Sequence, residues 1–132
     1  MGFVRVVATP ASVADVRSTL RGDLAILPES VREDAALVVS ELLGNAMRHA
    51  SSFPDGRLIV SWGVGEAGVE ISVTDGGGPT MPAVGEPNLT GAGGRGLSIV
   101  ASVAATWGVD KHGGETTVWA VIPLQSARLT PA

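Results

Sequence analysis

The chain contains no cysteine, which excludes a disulfide framework, a thiolate zinc site and a cysteine nucleophile together. Aromatic residues make up only 4% of its 132 residues, so the stacked rings that bind single-stranded nucleic acid are scarce. Positive charge is short as well. Lys and Arg number 9 against 13 Asp and Glu, for a net charge of −4. A general nucleic-acid binder needs a basic footprint to neutralise phosphates, and this chain has none. No basic segment followed by an apolar run opens the sequence, which argues against a secretory signal. Nor is there a stretch of about 18 apolar residues to span a bilayer. The expectation is a cytoplasmic protein without membrane segments and without a direct nucleic-acid partner.

What is present is ordinary globular material with one anomaly. The chain is 45% hydrophobic, and its length fits one domain, read here as residues 1–125 with a tail at 126–132. A compact chain of this size buries roughly two-thirds of the surface that its unfolded form exposes, so a core forms without staples. The anomaly is glycine. There are 18, with 8 of them between Gly76 and Gly96, where average usage is about 7%. The cluster sits mid-chain between well-patterned segments, which favours a functional backbone loop over a linker.

Phe3-Val4-Arg5-Val6-Val7 is short and β-branched and reads as an opening strand. A helix is expected from the capping-box-like Ser12 to Gly22, and a second from Pro28-Glu29-Ser30 onward. That second helix runs without proline to Ala50 and is the one long helix. Arg57 to Val64 and Val69 to Thr74 form a hairpin pattern about Gly65-Glu66-Ala67-Gly68. After the glycine cluster come a short helix, Leu97 to Ala105, and a closing strand pair, Thr106 to Asp110 and Thr116 to Ile122. Strands grouped around a few helices imply an α+β domain: a two-layer sandwich with helices on one face of a mixed, mostly antiparallel sheet.

On a helical wheel of the long helix, Ala35, Val39, Leu42, Leu43, Ala46 and Ala50 form a core face. Asp34, Glu41, Asn45 and Arg48 cluster on the other side, with His49 at its margin. A solvated face is the ordinary reading of such a cluster. However, Leu37 and Val38 lie among these polar residues, so part of this face is apolar enough to be covered. Glu41 and Asn45 project from successive turns, a carboxylate beside an amide oxygen, able to hold a hard cation or orient a water. With only His49 and His112 in the chain, a histidine metal site has little support.

Asp75 ends a strand and precedes Gly76-Gly77-Gly78-Pro79, where glycines let a flat ligand approach backbone. A plain turn is the alternative. Gly91-Ala92-Gly93-Gly94-Arg95-Gly96 matches G-x-G-x-x-G, but loop composition precedes it rather than a strand. A dinucleotide-binding βαβ unit is therefore improbable despite Asp110 downstream. What survives is a glycine loop entering a helix, with free N–H groups for an anion and Arg95 as a local positive charge.

These segments together resemble the GHKL (Bergerat-fold) ATP-binding superfamily. Glu41 to Ala50 resembles its N box, Asp75-Gly76-Gly77-Gly78-Pro79 its first glycine box, and Gly91 through Leu97 to Val100 its second. Gly114-Glu115-Thr116-Thr117-Val118 is similar to its closing Gly-Thr motif. Within the superfamily the likeness is to the short bacterial branch of anti-sigma-factor serine kinases. Only about 40 residues precede Glu41, which leaves no room for the helical hairpin of a sensor kinase.

The resemblance implies ATP and magnesium as ligands, with Asn45 on the metal and Glu41 as general base. It implies Asp75 on the adenine amino group, Gly77 allowing adenine to approach, and Arg48 and Arg95 as phosphate contacts. Gly91, Gly93 and Gly96, leading into Leu97, would shape the helix N-terminus beneath the phosphates, and Thr117 or its neighbour Thr116 would add a polar contact under adenine. It further implies a sigma factor and an anti-anti-sigma (STAS-type) protein as partners, with homodimerisation through the sheet edge. The expected activity is phosphate transfer to a serine of the partner. The alternative is a nucleotide-binding interaction module whose catalysis is weak or lost. Arg17 and Arg21 on the first helix are candidate partner contacts, although a solvated face is their ordinary reading.

Overall fold

The protein is described by a computed structural model covering residues 2–7, 10–49, 57–76 and 92–124. Strand β1 (Gly2–Val7) leads into helices α1 (Pro10–Asp23) and α2 (Glu29–His49). The hairpin β2 (Arg57–Gly65) and β3 (Gly68–Asp75) follows, then α3 (Ala92–Val103) and the hairpin β4 (Thr106–His112) and β5 (Glu115–Ile122). The five strands lie in the order β1-β2-β3-β5-β4, and all four junctions are antiparallel. The two-layer α+β expectation is met, and no parallel pair occurs among the described residues. The parallel βαβ unit of a dinucleotide fingerprint is absent there as well.

Local chemistry sets the element ends. Pro10 opens α1 two residues before Ser12, because proline's fixed φ already suits a first helical turn. The Pro28 carbonyl accepts the N–H groups of Val31 and Arg32, each at 3.1 Å, and so starts α2. Gly113 and Gly114 take φ of 54° and 88°, the two positive values that a tight two-residue hairpin needs between β4 and β5. At Gly68, φ is 136°, and a Cβ there would lie 2.0 Å from the Ile122 carbonyl oxygen. No other residue fits that turn.

Helix α3 begins at Ala92, five residues before the expected Leu97. Three glycines in its first turns weaken the local signal by about 1 kcal/mol each relative to alanine. Its anchorage lies downstream, where Leu97, Val100 and Val103 are buried on one stripe.

One face of the sheet carries all three helices' contacts, with α2 lying over β3 and β5 and flanked by α1 and α3. Alternate residues of the strands, such as Leu58, Val60, Ile71, Val73, Val118 and Ala120, point into this layer and are buried. The indole N–H of buried Trp62 donates to Asp23 Oδ2 at 3.0 Å, which ties β2 to the end of α1. No described helix packs on the opposite face, called the open face below.

Helix α2 departs from a simple amphipathic pattern. The wheel's core face is buried as expected, apart from Ala50, which lies outside the described residues. The other face is largely buried too, with Asp34 at 1%, Val38 at 0% and Asn45 at 1% exposure. The helix is the middle of a layer, covered on its flanks by α1 and α3. A polar face in that position is not a solvated one.

Candidate functional site

Helix α2 supplies Glu41 and Asn45 one turn apart, about 6 Å along the axis. Glu41 is half-buried and Asn45 fully buried. Both Asn45 side-chain atoms, Oδ1 and Nδ2, are buried without a hydrogen-bond partner among the described residues. A buried polar group left unpaired costs about 1–3 kcal/mol, a cost that a bound polar group would relieve. An amide oxygen suits a hard cation such as Mg2+, which takes few protein ligands, and the amide N–H groups suit a phosphate oxygen. Among the described residues no three His, Asp or Glu side chains are grouped to cage a metal. A metal at Asn45 would therefore share its coordination with ligand oxygens and water. Arg48 is exposed, and its guanidinium folds back over Gly44 one turn earlier, where a Cβ would lie 3.1 Å from Nη1.

The sheet supplies Asp75 from the last position of β3, 1% exposed, and its register partner on β5 is Thr116, 2% exposed. Both belong to the helix-covered face, in line with Val73 and Val118. Thr117 belongs to the other face. Its hydroxyl and that of Thr74 share a hydrogen bond of 2.7 Å. Of the two threonines left open by the sequence, Thr116 stands beside Asp75 and Thr117 does not. The strand's two-residue period decides this.

Gly93, Arg95 and Gly96 lie in the first turns of α3, and α3 packs along α2. Leu97 is 1% exposed and belongs to the hydrophobic core, so its observed role is packing. Gly77 and Gly91 lie outside the described residues. Asp34, two turns before Glu41 on the same stripe, is a buried carboxylate on the face that the sequence left open between solvated and covered. The apolar neighbour Val38 was the signal that this stripe is covered.

Three elements, α2, β3 and β5, thus bring Asn45, Asp75 and Thr116 to the interior of the helix-covered layer, with half-buried Glu41 one turn from Asn45. A family model described as "Histidine kinase-like ATPase domain" matches residues 6–122. The chain belongs to that family. Its fold is of GHKL type, as two solved structures also indicate. The first, of the RsbU and RsbW domains of Rv1364c from Mycobacterium tuberculosis, is 21% identical with a TM-score of 0.67. It is matched over 93% of this chain and 32% of that one, so this chain spans about a third of that neighbour's length. The second, the histidine kinase domain of a blue-light activated histidine kinase from Erythrobacter litoralis, is 22% identical with a TM-score of 0.54. It is matched over 94% of this chain and 69% of that one. Among curated proteins no sequence match was found. The family is an ATP-binding one. No described helix is long and apolar enough to cross a membrane.

Proposed function

We propose that this chain is an anti-sigma factor with serine/threonine kinase activity, which binds Mg-ATP and passes phosphate to an anti-anti-sigma partner of STAS type. The observation that carries the reading is Asn45, buried with both amide atoms unpartnered, one turn from the half-buried carboxylate of Glu41. Likeness to a structure holding an RsbW domain supports a regulatory setting with switched partners.

In this reading Asn45 binds the metal through Oδ1 and orients phosphate through Nδ2. Bound magnesium supplies charge neutralisation across the phosphate oxygens. Asp75 accepts a hydrogen bond from the adenine amino group. Guanine would present a carbonyl oxygen there instead, an acceptor facing an acceptor. Thr116 adds a hydroxyl at the neighbouring register position. Arg48 and Arg95 contact phosphate, and Gly77 and Gly91, with Gly93 and Gly96, let the backbone approach the nucleotide. Glu41 takes the proton from the attacking serine hydroxyl, and its partial exposure leaves that carboxylate reachable from solvent and hence from a docked partner.

The test is transfer of radiolabelled phosphate from ATP to a STAS-type protein of the same organism. Glu41→Gln should bind Mg-ATP like the parent, since a base acts mainly in the transition state. Transfer should fall by about 10²–10⁴-fold, the usual contribution of a positioned base. A parent chain that binds ATP but transfers to no such protein would be a nucleotide-binding interaction module instead.

A further inference from the structure

We infer that the open face of the sheet is a docking surface for a cationic amphipathic helix of a partner protein. The inference stands on the face opposite the helices and is independent of the nucleotide reading. A groove of about 720 Å3 runs over β2, β3 and β5 on that face. Its floor is low because its side chains are small: Ser61, Gly63 and Ser72. Ser61 and Ser72 are register partners whose hydroxyls share a 2.6 Å hydrogen bond, so the floor's polar groups satisfy each other.

One wall is an aromatic side chain held in place. Trp119 lies across Gly108, its register partner on β4, and a Cβ at position 108 would come within 2.7 Å of Trp119 Cζ2. Glycine there lets the indole lie flat, half-buried and pre-organised. A rigid aromatic of this kind makes an efficient anchor, because little side-chain freedom is lost on binding.

Charge selects the occupant. Glu70 and Asp110 line the groove and are exposed, and no Lys, Arg or His stands among its described lining residues. Two carboxylates over an apolar wall complement a segment that carries both positive charge and aliphatic surface. Face-to-face pairing with a second copy would instead bring four carboxylates together, and like charges across an interface repel. Shape selects the helix. The groove lies over strands already paired on both sides, so an added strand would find no free backbone there. An amphipathic helix binds through side chains and meets that condition.

The test uses the full chain, labelled with 15N, and a synthetic 18-residue helix with a leucine stripe and lysines on the flanks. Amide shifts are expected at Ser61, Ser72, Thr117 and Trp119, while Leu42 and Ala46 stay unmoved. Glu70→Lys should weaken the peptide by about tenfold or more, as should Trp119→Ala, with ATP affinity unchanged in both. The same peptide with glutamates for lysines should not bind. Glu70 is exposed, so its reversal carries the test even if Trp119→Ala folds poorly. Peptide shifts confined to other surfaces, or equal affinity in Glu70→Lys, would overturn the proposal. A parent dimer that Trp119→Ala dissociates would overturn it too, by giving the face to a second copy. Loss of ATP binding with peptide binding intact would instead count against the nucleotide reading alone.

Discussion

The two faces of the sheet are made from the same strands and treat polar side chains in opposite ways. On the open face they pair with one another across strands, Ser61 with Ser72 and Thr74 with Thr117. On the covered face Asp75 and Thr116 sit at 1% and 2% exposure beneath helices, and Asn45 faces the same layer at 1%. Burial makes polarity expensive unless it is matched by a partner. The open-face pairs are explained without any ligand, whereas Asn45's two unpartnered atoms are not. Buried polar groups therefore carry more information about function here than exposed ones.

The contrast can be tested by substitution on each side. Leu42→Ala, at 1% exposure in the core under α2, should cost about 2–5 kcal/mol by denaturant unfolding. Ser72→Ala on the open face should change stability by no more than about 1.5 kcal/mol, the net worth of one hydrogen bond. Comparable losses from the two would erase the distinction between the layers.

A smaller effect concerns specificity. Asp75→Asn should weaken ATP and reduce the preference for ATP over GTP, expected to be about tenfold or more in the parent because a lost hydrogen bond to the base costs about 1–3 kcal/mol. Titration of both nucleotides checks this, and equal parental affinities would remove Asp75 from the adenine contact. Smaller still is the comparison of neighbours on one strand. Thr116→Val should weaken ATP about three- to tenfold, the worth of a single hydrogen bond, while Thr117→Val should leave it unchanged. The reverse order would put the nucleotide on the open face.

Much of this arrangement was legible in the residues. Helix α2 and both hairpins follow from proline and glycine punctuation and from β-branched runs, which are local signals. The pairing of Glu41 with Asn45 follows from their four-residue spacing. Burial of Asp34 and Asn45 was only hinted at by Leu37 and Val38, because its extent depends on α1 and α3 covering the flanks of α2, a long-range fact. The choice between Thr116 and Thr117 needed the register Asp75↔Thr116, since adjacent threonines look alike until the face of the strand is known. The early start of α3 was hidden by its glycines, whose weak propensity is overridden by the buried stripe of Leu97, Val100 and Val103.

The central claim is that Asn45 binds the metal and phosphate of a nucleotide within the helix-covered layer. Calorimetric titration of ATP with and without magnesium, on the parent and on Asn45→Ala, tests it most directly. The account predicts that magnesium strengthens ATP binding to the parent, and that the residual affinity of Asn45→Ala no longer responds to the ion. Magnesium dependence that is unchanged in Asn45→Ala would contradict it and place the ion elsewhere.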